Sequence, residues 1–361
     1  MEKIKVGVLG FGQMHIVTMV DSFLAMPEAY TFMGYADTVL PDLKPFSTQR
    51  STRIANRKVI MEKCAPIPEF ESVDALLDQK PDLVIVATET SSHCDVICNA
   101  LNRGIHVIVE KPMAMSAAEA KKMADTAKAN NCVFMVNWPT AWRPAYRLMA
   151  KMAHEGVIGK VLRCFFTNGE SLGPFSYGQN LSVEEKMQEW WYHGQYGGGA
   201  AMDYIGYGCN LSRYFIGEKA TDAFCMAVNL NTPYAQVDDH ATVVLKFPNA
   251  QALVEGTWAT YAGGKLADGP VLFGEKGTLA ITPDMTGVEL YDQRHQAEPP
   301  KVFTADPLPE ERKDLAHEFL YALANNGEVN PMLSPEINVE AMCAADAALR
   351  SMKSGKLEKV N

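Results

Sequence analysis

The 361-residue chain is 47% hydrophobic and 21% charged, which suits about two globular domains with a real core and excludes disordered and fibrous classes. Its 33 Lys and Arg against 43 Asp and Glu leave a net charge of −10, so nucleic acid and anionic membrane surfaces are not expected partners. No window approaches the ~18 uninterrupted apolar residues of a membrane-spanning helix.

The amino terminus passes directly into a strand, Ile4–Leu9, without the apolar segment and cleavage site of a secretion signal, so the cytoplasm is the expected compartment. Eight scattered cysteines lack zinc-ligand spacing and read as reduced core thiols. Cys94 and Cys98, beside His93, have the spacing of buried neighbours on a helix, and no metal is expected. After the first strand comes the turn Gly10-Phe11-Gly12, then helical periodicity over 14–26 that stops before Pro27. A second strand over 31–36 ends at Asp37. A short helix, Val73–Leu77, precedes a strand over 82–87 with almost no polar alternation, the pattern of a parallel strand covered on both faces. A helix over 94–103, a strand over 106–109, the helix Ala117–Ala129 and a strand over 133–136 complete a doubly wound α/β pattern.

In such a sheet the turn after the first strand meets a dinucleotide's pyrophosphate. Gly10 permits the turn, Gly12 lets the backbone approach, and the helix amino terminus supplies unpaired N–H groups. Phe11, Gln13 and Met14 belong to the same candidate cradle, while His15 stands where the fingerprint has its third glycine. Asp37, 25 residues after Gly12, is placed to accept ribose hydroxyls and to repel a 2′-phosphate, so NAD is expected over NADP.

Beyond Trp138 the pattern changes. A helix over 144–155 and a strand over 160–168 lead into an aromatic, glycine-rich stretch, 175–199. Alternation then predicts strands over 221–230, 241–247, 251–260, 270–273, 277–281 and 288–292, followed by helices over 309–325 and 338–354. The expected organisation is a Rossmann domain, 1–137, and an α+β domain, 138–361, with an open, mostly antiparallel sheet. The broad face of that sheet suggests a homo-oligomer, dimer or tetramer.

Val109-Glu110-Lys111-Pro112 at a strand end and Gly197-Gly198-Gly199-Ala200-Ala201-Met202-Asp203 entering a helix together resemble the Gfo/Idh/MocA oxidoreductases. The likeness extends to Ala87-Thr88-Glu89-Thr90-Ser91-Ser92-His93 and Leu272-Phe273-Gly274-Glu275-Lys276-Gly277-Thr278-Leu279. It implies hydride transfer between NAD, exchangeable or tightly held, and a secondary hydroxyl or ketone of a sugar, cyclitol or glycoside. Lys111 is implied as catalytic, its pKa lowered by the nearby positive nicotinamide. Asp203 and Tyr207, four apart on one helical face, join it. Many relatives carry histidine at the second of these positions, and tyrosine resembles the glucose-fructose oxidoreductase subgroup. A free tyrosine titrates near ~10, so Lys111 would have to stabilise its phenolate. The resemblance also brings Thr88, His93 and Glu110 to the cofactor. Trp138 and Trp191 are candidates for a sugar's C–H faces, and Asn137, Arg143 and His193 for its hydroxyls. Two alternatives share these motifs: a glycosidase using NAD for transient oxidation and elimination, and a non-enzymatic nucleotide-sensing regulator.

Overall fold

Five parallel strands form the first sheet, in the order β2-β1-β3-β4-β5. They are β1 (Ile4–Leu9), β2 (Tyr30–Ala36), β3 (Leu83–Val86), β4 (His106–Glu110) and β5 (Phe134–Asn137). The computed structural model describes residues 2–38, 40, 52–64, 66–169, 181–259, 269–294 and 298–361. Every residue of β3 and β5 is buried, which requires cover on both faces and accounts for the unbroken apolar runs. The helices of this half are α1 (Ile16–Leu24), α2 (Thr52–Cys64), α3 (Val73–Leu77), α4 (Thr90–Asn102) and α5 (Ala117–Ala129). Ser72 and Ser116 start α3 and α5 by accepting the backbone N–H groups of Ala75 and Glu119. Strand order reverses at β1, between β2 and β3, and ligands gather at the carboxyl ends of strands flanking such a switch point.

Helix α2 is absent from the sequence-based pattern. Its buried positions, Thr52, Asn56, Ile60 and Cys64, recur every four residues but include two polar side chains, so its apolar stripe is incomplete.

The second half opens with α6 (Pro144–His154) and β6 (Val161–Gly169), continues through α7 (Val183–Lys186), and enters α8 (Ala200–Asp203) and α9 (Ile205–Ile216). Six strands follow the expected meander: β7 (Asp222–Val228), β8 (His240–Lys246), β9 (Gln251–Thr257), β10 (Val271–Gly274), β11 (Thr278–Ile281) and β12 (Gly287–Tyr291). Thr260 and residues 175–180, included in the expected elements, lie outside the described residues. Two further strands, β13 (Lys301–Thr304) and, after α10 (Leu315–Ala324) and α11 (Pro335–Ser354), β14 (Glu358–Lys359), were not expected. They close the edges of a nine-stranded sheet in the order β13-β12-β11-β10-β6-β9-β8-β7-β14. Only the β6–β9 pairing in it is parallel. Helix α11 starts at Pro335 rather than residue 338 because Ser334 accepts the Ile337 N–H and proline suits the first turn.

Helix α9 lies so close to β9 that a Cβ on Gly208 would stand 2.1 Å from a methyl of Val254, which explains glycine at that helical position. The last helices return to the first domain. The Tyr30 hydroxyl donates to the Ala316 carbonyl at 2.6 Å, and just past the end of β5 the Trp138 indole donates to Asn338 Oδ1 at 2.6 Å. No helix among the described residues is long and apolar enough to cross a membrane.

Candidate active site

Gly10 closes β1 at φ 83, and a Cβ there would lie 2.6 Å from the Thr88 backbone nitrogen. The turn is therefore pressed against the end of β3, and glycine is the residue that fits. Asn56 of α2 donates to the carbonyls of Phe11 and Gln13, both at 2.9 Å. From the other domain, the Trp190 indole donates to the Gly12 carbonyl at 2.9 Å. Three of its carbonyls are engaged from outside; the N–H groups of Gly10 and Gln13 donate to the carbonyls of Ala36 and Ala87, at 2.9 and 3.1 Å, while those of Phe11 and Gly12 meet no backbone carbonyl among the described residues. Helix α1 carries no acidic residue in its first turn, so its positive end is not neutralised there. The Gln13 side-chain nitrogen is buried without a hydrogen-bond partner among the described residues. A close-approach glycine turn, an open helix end and an orphaned amide fit a dinucleotide's phosphates.

Charges around this cradle are already paired. Arg53 bridges Asp37 and the buried Glu89, and its Nη1 also donates to the Thr38 carbonyl at 3.1 Å. Thr38 Oγ1 donates to Glu89 Oε2 at 3.1 Å. Asp37 thus reaches the expected place but shares its carboxylate with a guanidinium that residue spacing did not reveal. Glu189 accepts the Thr52 N–H at 2.9 Å, and burial pushes its carboxyl up to about 7 despite that bond and the charge of Arg53.

Lys111, at the end of β4, forms an ion pair with Asp203 of α8, 92 positions away. Asp238 fixes the start of α8 by accepting the Ala201 N–H at 2.6 Å. The Lys111 Nζ lies 5.0 Å from the centroid of the Tyr207 ring, whose other neighbour, Trp138, meets it edge-on at 4.9 Å. Burial pulls the lysine's pKa down, but the Asp203 carboxylate, aided by Tyr207 and Glu110, outweighs it and moves it upward. The expected lowering by nicotinamide is therefore opposed by a closer carboxylate, and Lys111 stands here as an ammonium. Beneath it, Glu110 accepts from Asn137 at 2.8 Å and pairs with His15 at 3.0 Å. Burial would raise the Glu110 carboxyl, but His15, Lys111 and Asn137 hold it below the usual carboxylate range.

A cavity of about 500 Å³ joins these parts. Its wall includes Gln13, Met14 and His15 from the glycine turn, Lys111, Asp203 and Tyr207, and the expected Arg143 and Trp191. Thr140, Tyr146, Phe166, Thr167, Asn168, Tyr204 and Met285 also line it, none of which had a sequence signal beyond proximity to a strand end or an aromatic segment. Four expected residues sit behind the wall. Trp138 and Asn137 are buried and hydrogen-bonded to Asn338 and Glu110, and His193 turns to the Met187 carbonyl at 2.7 Å. His93 is fully buried, with ring nitrogens 3.2 Å from the carbonyls of Thr88 and Pro112, and burial lowers its pKa. It ties β3's end to the segment after Lys111. Phe11 packs edge-on against Tyr35 in the core. No group of three or more His, Cys, Asp or Glu among the described residues could hold a metal, and all eight cysteines are free thiols.

Residues 4–138 match the family described as an oxidoreductase family with an NAD-binding Rossmann fold, and residues 146–280 match the GFO/IDH/MocA C-terminal domain. Levoglucosan dehydrogenase from Pseudarthrobacter phenanthrenivorans is 32% identical over 200 residues, 52% of this chain and 49% of that protein. The scyllo-inositol 2-dehydrogenase (NAD(+)) of Bacillus subtilis is 27% identical over 199 residues, 54% of this chain and 52% of that protein. The chain thus spans about half the length of the curated relatives it matches. A solved levoglucosan dehydrogenase, in complex with NADH and levoglucosan, shares the fold with a TM-score of 0.77 at 20% identity, covering 99% of this chain and 100% of that one.

Glu189 yields a pH prediction. A group whose folded pKa is raised contributes stability that is complete below its unfolded value, near 4.5, and is lost as pH rises through about 7. Glu189→Gln keeps an acceptor for Thr52 and removes that loss. The variant should match wild type near pH 4.5 and be more stable at pH 8 by roughly 1–3 kcal/mol. Urea denaturation at both pH values checks this, and parallel stability curves would contradict it.

Proposed function

Because the chain belongs to the Gfo/Idh/MocA family of NAD-binding oxidoreductases, we propose that it catalyses hydride transfer between nicotinamide and a secondary hydroxyl or ketone of a sugar, cyclitol or glycoside. The observation that carries this reading is the single cavity lined by both the glycine turn and the Lys111, Asp203 and Tyr207 cluster. The sugar and cyclitol dehydrogenases among the relatives support the substrate class. The dinucleotide supplies the electron chemistry, and this chain's residues hold the substrate and handle the proton.

Lys111, as an ammonium, donates a hydrogen bond to the reacting oxygen and is the proton source when a ketone is reduced. Asp203 keeps the lysine charged and oriented. The oxidation runs through the same groups in reverse, with the hydroxyl proton returned to Lys111 after the lysine has passed its own proton to its neighbours. Tyr207, packed between Lys111 and Trp138, is the neighbour that carries it onward. Lys111→Met and Tyr207→Phe should each lower turnover by roughly 10²-fold or more while leaving NAD affinity nearly intact. The double variant should be little worse than the worse single, because residues acting as a unit lose their effect together. Steady-state kinetics with a sugar and cyclitol panel provides the measurement. Wild-type turnover in Tyr207→Phe would reduce the tyrosine to packing.

NAD is the preferred cofactor in this reading because Asp37 stands at the end of β2, where a carboxylate accepts ribose hydroxyls and repels a 2′-phosphate. Its pairing with Arg53 sharpens the test. Asp37→Ala removes the repulsion and releases a guanidinium, so NAD affinity should fall and NADP affinity rise, narrowing the preference by roughly 10-fold or more. Calorimetric titration of both cofactors reads this directly, and unchanged affinities would remove Asp37 from the site.

A homo-oligomer completes the proposal. On β7 the inward residues Ala223 and Cys225 are buried, whereas Phe224, Met226 and Val228 on the opposite face are exposed, Met226 by 63%. A second copy of the chain is the partner proposed for this apolar face. Light scattering at micromolar concentration should give a dimer or tetramer for wild type and a smaller species for Met226→Asp. A monomeric wild type would contradict the assembly.

A further inference from the structure

The cavity carries an unbalanced charge. Among its described lining residues Asp203 is the acid, and Lys111 neutralises it. Arg143 remains. Its guanidinium donates to the Met285 thioether at 3.2 Å and lies 5.5 Å from the Tyr146 ring centroid, and no carboxylate among the described residues meets it. A thioether is a weak acceptor and a ring face accepts only diffusely, so on this exposed side chain most of the five N–H donors face solvent and are open to a ligand. Arg143 is also the N-cap of α6, whose first turn holds no acidic residue. One short turn earlier, Thr140 lines the same cavity with a buried hydroxyl that has no hydrogen-bond partner among the described residues, the residue being only 5% exposed.

We propose that the substrate is a sugar acid, a polyhydroxy carboxylate, whose carboxylate is bound by Arg143 and Thr140 while one of its secondary hydroxyls lies at Lys111. The proposal rests on the dehydrogenase reading above and adds the charge of the substrate to it. A planar guanidinium takes both oxygens of a carboxylate in parallel bonds, and these charge-assisted bonds are stronger than those to a neutral hydroxyl. A carboxylate's single charge equals that of Arg143. A phosphate monoester brings about −1.5 to −2, and Lys111, tied to Asp203, is not free to balance the excess.

Matched pairs test this: D-glucuronate with D-glucose, D-galacturonate with D-galactose, D-gluconate with D-glucitol, and D-glucose 6-phosphate as the alternative anion. Wild type should favour the acid in at least one pair by roughly 10-fold or more in kcat/KM, chiefly through KM. Arg143→Met should reduce that ratio to about one, Arg143→Lys should keep part of it, and Thr140→Val should weaken acid binding severalfold where Thr140→Ser does not. The proposal is overturned if neutral members are favoured or equal in every pair, if the phosphate is preferred to the acids, or if Arg143→Met leaves the ratio unchanged. The same compounds titrated calorimetrically into the NADH-loaded protein separate the two readings. Acids that bind through Arg143 but are never oxidised would sink the dehydrogenase reading and leave the anion site. Neutral sugars oxidised with no binding of acids would do the reverse.

Discussion

The ion pair between Lys111 and Asp203 is the interaction around which the two domains are arranged. Both residues are nearly buried, and bringing two charges out of water costs several kcal/mol each, repaid only where geometry and added hydrogen bonds are good. One partner follows the last residue of a parallel strand of the first sheet and the other ends the short helix α8 beside the second, so the pair exists only when both domains are folded and docked. Glycines make the docking possible. A Cβ on Gly198 would lie 2.1 Å from the Trp191 carbonyl oxygen, and Gly197 and Gly199 adopt φ of 96 and 108 as the chain turns into α8.

The nucleotide cradle is held by the same logic of outside contacts. Its carbonyls are taken by Asn56 and Trp190, from a helix of its own domain and from the opposite one, and the Gly10 and Gln13 N–H groups are tied to Ala36 and Ala87, which stiffens the turn around the N–H groups of Phe11 and Gly12. The acidic residues nearby would repel a dinucleotide if they stood alone. Arg53 offsets them by bridging Asp37 and Glu89, so both carboxylates are matched by a cation inside the protein. Along the cavity wall the balance tilts the other way, with Arg143 facing no carboxylate among the described residues.

Much of this was legible before any coordinates. The parallel strands announced themselves as apolar runs because both their faces are covered, and the second sheet as alternation because one face is not. Lys111, Asp203 and Tyr207 were found by motif and do meet. Helix α2 escaped notice because two of its four inward positions, Thr52 and Asn56, are polar, and with it went Arg53, which sets the charge of the cradle. Asn137, Trp138, His93 and His193 were expected at the ligand because they are polar or aromatic and near the right segments. Their hydrogen-bond partners lie behind the wall, and proximity in sequence does not say which way a side chain turns.

By itself the sequence determined the fold class, most of the strands and helices in order, the glycine turn and the motif residues. Each of these is written in local chemistry: a hydrophobic period, a cap, a residue able to adopt positive φ. Tertiary structure alone decided which charges are matched. Whether Asp37 stands free or beside a guanidinium, whether Lys111 is pushed toward its neutral or its charged form, and which cavity arginine meets no carboxylate among the described residues depend on groups tens of residues away. The physical reason is that a buried charge takes its energy from whatever lies within a few ångströms, and only the folded chain fixes that neighbourhood.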